Sequence, residues 1–293
     1  MKYYGGIEAG GTKFICGVSD LECNIIEKVS FPTTTPEETM NHVLGFFSRF
    51  AKEDIVAIGI ACFGPIVVDK SSPLHGTITS TPKLAWQNFP LLSFMQTHFL
   101  CPIEINTDVN GSATGEFCFG AGRNTKDLVY FTVGTGIGAG IIINGKIAKA
   151  SEVGHIPTKK HPRDTYEGKC PFHKDFCLEG LAAGPSIEER WNVKSARELE
   201  ATHLAWEMEA YYLAQAVLSI HLTLSPDKVI LGGGVMGQPH LLPMVRKFFK
   251  TLDNGYFVSR EKNIDDFIVT PEIEEVSGLI GSFCFARDAH KNK

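Results

Sequence analysis

Residues 4–18 read YGGIEAGGTKFICGV, and residues 128–143 read LVYFTVGTGIGAGIII. In both stretches, strand-forming residues flank a glycine-rich turn, which is the pattern of a β-hairpin. The repetition predicts an internal duplication, with the second half of the chain beginning as the first half does. A third glycine cluster, at residues 232–234, follows a predicted strand at 228–231.

Further strands and helices are predicted around the two hairpins. The first half is predicted to contain strands at 25–31, 55–61 and 103–105, helices at 36–49, 91–99 and 113–119, and a loop at 71–83. The second half is predicted to contain a glycine turn at 134–140 and a strand at 141–143. Four helices are predicted to follow: one that begins near residue 184, a longer one at 204–224, one that ends near residue 250 and a last one at 276–290. Thr35 is the predicted N-cap of the first helix. An apolar stripe on the helix at 204–224 is predicted to face the core, through Leu204, Met208, Tyr211, Leu218 and Leu222.

The composition is that of an ordinary globular protein. The chain has 293 residues, of which 43% are hydrophobic and 21% charged, with a net charge of −5. This length suits about two domains, and the acidic balance argues against nucleic acid as the main partner. Neither a signal peptide nor an apolar run long enough to span a membrane is visible. The eight cysteines mostly occupy apolar patterns, so the sequence predicts a cytoplasmic protein with reduced thiols.

The glycine turns are candidates for phosphate binding. Glycine permits a close backbone approach, so that consecutive N–H groups can point at phosphate oxygens. Ligand-free hairpins are the alternative for any one turn. Residues 6–13 are not a P-loop, because Thr12 precedes Lys13 and a strand follows, and residues 134–140 open into a strand and not into the helix of a dinucleotide fingerprint. A hairpin whose turn holds phosphate, present twice, is instead the layout of the actin and sugar-kinase fold.

A metal site is predicted in residues 152–177, which read EVGHIPTKKHPRDTYEGKCPFHKDFC. Thiolate and imidazole ligands suit Zn²⁺ in a closed tetrahedral site. The predicted ligands are His155, Cys170, His173 and Cys177. His161 could take the place of His173, and a surface loop with incidental histidines and cysteines is the alternative to a metal site.

Several blocks along the chain resemble the ROK family of sugar kinases. In order, they are GIEAGGTK, TDVN with a following GE, VGTGIGAG, EVGH, EGLAAGP, ILGGGV and SGLIG. Glu8 before the first turn and the zinc loop after EVGH resemble the bacterial zinc-containing fructokinase branch. The resemblance implies an α/β, two-lobed, ribonuclease H-like duplicated fold of the actin/hexokinase type, with an interlobe cleft, and a homodimer. The smaller lobe would comprise residues 1–115 and 275–293, and the larger lobe residues 116–274 with the zinc loop at 155–177.

The resemblance also implies an activity. Members of that branch phosphorylate D-fructose at its 6-hydroxyl with ATP and Mg²⁺, and carry a structural Zn²⁺. Lys83 and Leu84 stand where glucokinases of the family have Asn and Leu before a residue like Trp86, which disfavours glucose. The alternatives are a glucokinase, a mannokinase, an N-acyl-hexosamine kinase or a non-catalytic sugar-binding regulator. A regulator would need an N-terminal helix-turn-helix, for which the first strand, beginning near Tyr4, leaves no room.

Roles for individual residues follow from the same resemblance. Asp108 matches the catalytic base, although it could also be the N-cap of a helix at 110–119. The residues implied to bind sugar are Gly64, Asn110, Glu152 and His155, the last shared with Zn²⁺. The residues implied to bind nucleotide are Thr12, Lys13, Thr132, Gly134, Thr135, Gly136, Gly184, Pro185, Gly232, Gly233, Gly234, Val235 and Met236. Lys13 could instead be a solvated strand residue.

Overall fold

The computed structural model describes residues 1–149, 151–256 and 263–292. The chain divides into two compact units. The first is Met1–Gly120 together with Glu275–Lys293, and the second is Ala121–Glu274. The first boundary thus falls at Gly120, where the sequence suggested residue 115. Within the described ranges, we find no helix that is both long and apolar enough to cross a membrane.

The first unit is built on a five-stranded sheet. Its strands are β1 (Tyr3–Ala9), β2 (Lys13–Ser19), β3 (Ile25–Pro32), β4 (Ile55–Cys62) and β5 (Ile103–Thr107), in the order β3-β2-β1-β4-β5. Its helices are α1 (Pro36–Phe47), α2 (Leu91–His98), α3 (Asp108–Phe119) and the C-terminal helix (Ser277–Lys291). Thr35 caps α1 as predicted, because its hydroxyl accepts a 3.3 Å hydrogen bond from the N–H of Glu38.

The second unit repeats this plan. Its strands are β6 (Leu128–Val133), β7 (Ile137–Ile143), β8 (Lys146–Ile147), β9 (Lys228–Gly232) and β10 (Ile268–Val269), in the order β10-β9-β6-β7-β8. Its helices are α4 (Leu178–Ala182), α5 (Gly184–Trp191), α6 (Leu204–Leu224), α7 (Leu241–Asp253) and α8 (Ile264–Phe267).

The two sheets have the same topology. In each one, the first strand pairs antiparallel with the second, the second pairs antiparallel with the third, and parallel strands extend the other side of the first strand. Two sheets with one connectivity confirm the predicted duplication and the ribonuclease H-like α/β fold class.

Three local predictions were wrong. The strand after the second glycine turn begins at Ile137 and not at residue 141, because Gly138 and Gly140 pair with β6. Helix α3 begins at Asp108 and not at residue 113, and its N-cap is Thr107 and not Asp108. The Thr107 hydroxyl accepts a hydrogen bond from the N–H of Asn110 at 3.2 Å. The predicted stripe on α6 also fails at Leu222, which is 56% exposed. That helix instead buries a wider face, which includes its small residues Ala205, Ala210, Ala214 and Ala216.

The C-terminal helix completes the core of the first unit through close backbone contacts. A Cβ atom on Gly59 in β4 would overlap the carbonyl oxygen of Ser282, and one on Gly281 would overlap that of Gly111 in α3. Only glycine lets backbones approach this closely. Leu279 and Phe283 of this helix are fully buried in the same unit.

Candidate functional site

The first glycine turn joins β1 to β2 in the first unit. The N–H of Gly10 donates to the carbonyl of Lys13 at 3.0 Å, and the Thr33 hydroxyl donates to the carbonyl of Gly10 at 2.7 Å. A Cβ on Gly10 would lie 2.6 Å from the Lys13 oxygen, so this turn requires glycine there. Thr12 and Lys13 are exposed on the turn. Their accessible position is compatible with binding an anion.

Asp108 lies where β5 ends and α3 begins. Its Oδ1 accepts a 2.9 Å hydrogen bond from the N–H of Val109. Burial raises the pKa of the Asp108 carboxyl to about 6, although backbone N–H groups at the start of the helix oppose the shift. A carboxylate with this pKa is ionised at neutral pH and is a stronger base than an ordinary aspartate, which suits general base catalysis.

Glu8 is a second perturbed carboxyl group in the same unit. Burial, reinforced by the negative charge of Asp108, raises the pKa of Glu8 to about 7. Its Oε2 is buried without a hydrogen-bond partner in the described structure, and its side chain lies against Gly278 of the C-terminal helix. Asp108 therefore has an acidic neighbour, which was not assigned a role from the sequence.

The two predicted sugar-binding residues of this unit occupy different environments. Asn110 is 3% exposed, and its Nδ2 donates to Oδ1 of Asn106 at 2.7 Å. Gly64 is exposed after β4 and precedes a cis peptide bond to Pro65.

Lys83 lies beside the first glycine turn. Its Cε is 3.6 Å from the position that a Cβ on Gly11 would occupy.

A cavity of about 500 Å³ opens in the second unit. Six predicted nucleotide-binding residues line it: Gly134, Thr135, Gly184, Pro185, Gly234 and Val235. The turn after β6 is held to the start of α5 by a 2.8 Å hydrogen bond from the N–H of Gly184 to the carbonyl of Gly134. The cavity is therefore built on two of the glycine-containing blocks found in the sequence.

Sequence reasoning missed the other half of the cavity lining. These residues are Glu188, Ser195, Ala196, Arg197, Trp206 and Gln238. They carry no glycine motif, and they come together only when α5, α6, the segment between these helices and the turn after β9 have packed. Among the remaining predicted residues, Thr132 and Gly232 pair across β6 and β9, Gly233 has a φ of 91°, and Met236 is buried.

The four predicted metal ligands form one cluster. The ligand atoms of His155, Cys170, His173 and Cys177 all lie within 4.8 Å of one another. Nδ1 of His155 is 3.8 Å from Sγ of Cys170 and 3.7 Å from Sγ of Cys177, and Nδ1 of His173 is 3.7 Å from Sγ of Cys170. Tetrahedral Zn–S and Zn–N bonds place neighbouring ligand atoms about 3.5 Å apart. Two sulfurs and two nitrogens in this arrangement fit Zn²⁺.

The backbone supports this cluster. The N–H groups of His173 and Gly180 each approach a cysteine sulfur at 3.4 Å, the first at Cys170 and the second at Cys177. His161 lies elsewhere, with Nε2 3.5 Å from Oε1 of Glu207 and its ring edge-on to Tyr211. The fourth member of the cluster is therefore His173 and not His161.

Glu179 is a polar residue of this region that sequence reasoning did not assign. Its Oε2 accepts a 2.9 Å hydrogen bond from the N–H of Ile137, directly after the second glycine turn. Its Oε1 lies 3.9 Å from Nε2 of His155. The glutamate at the start of the EGLAAGP block was the feature of the sequence that could have identified Glu179.

Glu152 is exposed, and its carbonyl accepts a hydrogen bond from the N–H of His155 at 2.9 Å.

The duplicated sheets and the glycine turns define a fold of the actin/hexokinase type. A family model described as the ROK family matches residues 4–289. The chain belongs to the ROK family.

Curated relatives and a solved structure extend over the same length. The chain is 44% identical over 293 residues to a fructokinase of Streptococcus mutans serotype c, covering 98% of both chains. It is 42% identical over 292 residues to a fructokinase of Lactococcus lactis subsp. cremoris, covering 97% of both. The ROK hexokinase from Thermus thermophilus is 24% identical and superposes with a TM-score of 0.78 over 99% of this chain and 100% of that one. This structural similarity confirms the fold class.

Proposed function

We propose that this protein transfers the γ-phosphate of ATP to the 6-hydroxyl of a hexose, and that the hexose is D-fructose. The observation that carries the proposal is Asp108, a carboxylate of raised pKa at the end of a strand in a ROK-family fold. The sugar is suggested by the two relatives that are named fructokinase and align over nearly the whole chain.

Asp108 would act as the base. It would accept a hydrogen bond from the 6-hydroxyl, orient that oxygen for in-line attack on the γ-phosphorus and take its proton as the new O–P bond forms. A pKa of about 6 keeps Asp108 ionised at neutral pH. Its helix position is fixed by the N-cap Thr107, so that little reorganisation is needed when the sugar binds.

The nucleotide would occupy the cavity of the second unit. Gly134, Gly184 and Gly234 line it without side chains, which leaves room for the adenosine. Backbone N–H groups of the turn at residues 134–136 would donate to its phosphate oxygens. The turn at residues 10–13 of the first unit is our second candidate for binding phosphate. Mg²⁺ is usually held by substrate phosphates together with few protein carboxylates, and it would neutralise charge on the transferred group.

Zn²⁺ would have a structural role. His155, Cys170, His173 and Cys177 supply a complete set of four ligands, as in closed structural sites. Bound there, the ion would hold the loop that carries His155 and fix the tautomer of that histidine, with Nδ1 toward the metal. Glu152 and His155 are our candidates for binding hydroxyl groups of the sugar.

A sugar panel tests this function. ADP release is measured with fructose, glucose, mannose and N-acetylmannosamine, and we expect fructose to give the highest kcat/KM.

A variant of Asp108 tests the proposed base. Asp108→Asn should lower kcat by roughly 10³-fold, and thermal unfolding should show that the variant is folded. Glu37→Gln changes an exposed carboxylate on α1 and is the matched control. Turnover by Asp108→Asn within a few-fold of the parent would exclude Asp108 as the base.

We propose that the enzyme is a homodimer and that it is cytoplasmic. None of the eight cysteines, all within the described residues, forms a disulfide, as is usual in a reducing compartment. The resemblance to the ROK family suggests the dimer. Light scattering would test it against the chain mass of 32.1 kDa, since a dimer has twice that mass and a monomer would contradict the proposal.

A further inference from the structure

Three cysteines of the first unit lie together, away from the residues assigned to catalysis. Cys23 is in the turn after β2, Cys118 is near the end of α3, and Cys284 is in the C-terminal helix. Cys23 and Cys284 are buried in one apolar cluster of this unit, and Cys118 packs against that cluster. Nη2 of Arg287 lies 3.8 Å from Sγ of Cys118, to which it donates.

The close approach of two helices produces this cluster. A Cβ on Gly115 in α3 would overlap the carbonyl oxygen of Ser277, and a Cβ on Gly281 would overlap that of Gly111. Helices in backbone contact bring side chains further along them, here at Cys118 and Cys284, close to one another. Disulfides usually join residues whose Cα atoms are about 4.4–6.8 Å apart, so a bond between these helices requires such a close approach of their backbones.

The surroundings favour the thiolate of Cys118. A hydrogen bond from Cys284, helped by the Arg287 guanidinium, lowers the pKa of Cys118 to about 6 although burial opposes the shift. The pKa of Cys284 is raised well above its usual value, because its thiol donates hydrogen bonds to Cys118 and to Cys23. The pair therefore consists of one thiolate and one neighbouring thiol that donates to it.

Exposure separates Cys118 from its partners. Cys118 is partly exposed, whereas Cys23 is 3% exposed and Cys284 is fully buried. Within the described residues, the one compact group of candidate metal ligands is the His155 group, so the chemistry open to this cluster is that of thiols. A small oxidant can reach Cys118, and the thiol of Cys284 is already adjacent to it.

We propose that Cys118 is a peroxide-reactive site and that Cys284 resolves the product to a disulfide. The Cys118 thiolate attacks hydrogen peroxide, so that an S–O bond forms, the O–O bond breaks and hydroxide leaves, which gives the sulfenic acid. The sulfur of Cys284 then attacks the sulfur of Cys118. An S–S bond forms, the S–O bond breaks, and water leaves with the proton of the Cys284 thiol. Peroxide is reduced and the two thiols are oxidised.

Peptide mass spectrometry on the full-length, zinc-loaded protein tests this proposal. After brief treatment with hydrogen peroxide at pH 7, we expect a Cys118–Cys284 cross-linked peptide. The peptide containing Cys101, the other partly exposed cysteine, should oxidise at least about ten-fold more slowly. Mapping also separates these products from oxidation of Cys170 and Cys177. Because the readout is not phosphorylation, its outcome is independent of the proposed function.

Variants separate the two chemical steps. Cys284→Ser should accumulate a dimedone-reactive sulfenic acid on Cys118 without a cross-link, and Cys118→Ser should abolish both products. Arg287→Gln should slow oxidation of Cys118 several-fold, and Arg287→Lys should restore most of the rate because it keeps the positive charge. Equal oxidation rates at Cys101 and Cys118, or a rate unaffected by Arg287→Gln, would overturn the proposal. Comparable thermal unfolding of the variants excludes misfolding as the cause.

Discussion

Glu179 contacts both the metal cluster and the second glycine turn of the second unit. One carboxylate oxygen lies 3.9 Å from Nε2 of His155, and the other accepts a 2.9 Å hydrogen bond from the N–H of Ile137. The imidazole contact is too long for a hydrogen bond, whereas the contact to Ile137 is a good one. Glu179 is therefore held mainly by the strand that follows the glycine turn.

The first prediction concerns this hydrogen bond. Glu179→Gln keeps an oxygen acceptor for the N–H of Ile137, so the KM for ATP should stay within about two-fold of the parent value. Glu179→Ala leaves that N–H without its partner and should raise the KM for ATP about ten-fold. Steady-state kinetics with varied ATP distinguish the two variants, and Glu189→Gln, on an exposed position of α5, is the control. Equal KM values for ATP in Glu179→Gln and Glu179→Ala would contradict the role of Glu179 as the acceptor for the N–H of Ile137.

The second prediction concerns metal removal. Purified protein should contain about one Zn²⁺ per chain, and Cys170→Ser combined with Cys177→Ser should release it. Loss of the metal should lower the melting temperature and raise the sugar KM, because His155 loses its orientation. The KM for ATP should change little, since Glu179 keeps its bond to Ile137. Metal analysis, thermal unfolding and kinetics measure these effects; a metal-free enzyme with unaltered sugar affinity would refute the coupling.

The third prediction concerns pH. A base must be ionised to accept a proton, and the pKa of Asp108 is about 6. We therefore expect kcat/KM for the sugar to be constant above this pH and to fall about ten-fold per pH unit below it. Initial rates between pH 4.5 and 8, with stability checked at each pH, would show the transition. A profile that is flat down to pH 5 would contradict the assignment of Asp108.

The fourth prediction uses two glycines of one short turn. Gly234 lines the cavity and Gly237 does not, and a Cβ on either would meet no atom within 4 Å. Gly234→Leu should fill part of the cavity and raise the Kd for ATP about ten-fold or more, whereas Gly237→Leu should leave the Kd within about two-fold of the parent value. Nucleotide titration by calorimetry would measure both. Equal affinities for ATP would place the nucleotide elsewhere.

Local sequence patterns predicted much of this molecule. The strands around both glycine turns, helix α6 and the four residues of the metal cluster follow from residues close together in the chain. Gly138 and Gly140 were misjudged, because a glycine paired within a ladder looks the same in sequence as a glycine in a turn. Leu222 was misjudged because small residues such as Ala210 and Ala214 let the core pack against another face of α6.

Other features depend on contacts that are distant in sequence. The cavity residues Arg197 and Gln238 meet only after α5, α6 and α7 have packed. The pair Cys118 and Cys284 depends on glycine contacts between α3 and the C-terminal helix. No short motif encodes either arrangement, because each member is an unremarkable residue in its own segment.

The C-terminal helix has a consequence for biosynthesis. Its buried residues Leu279, Phe283 and Cys284 share a core with Tyr4 and Ile15, so the first unit cannot bury that core until the ribosome has made the last helix. The second unit, Ala121–Glu274, is continuous in sequence and does not depend on that helix for its own core. The first unit is therefore completed only after all of the second unit has been synthesised, and the nascent N-terminal sheet must wait with part of its apolar surface uncovered.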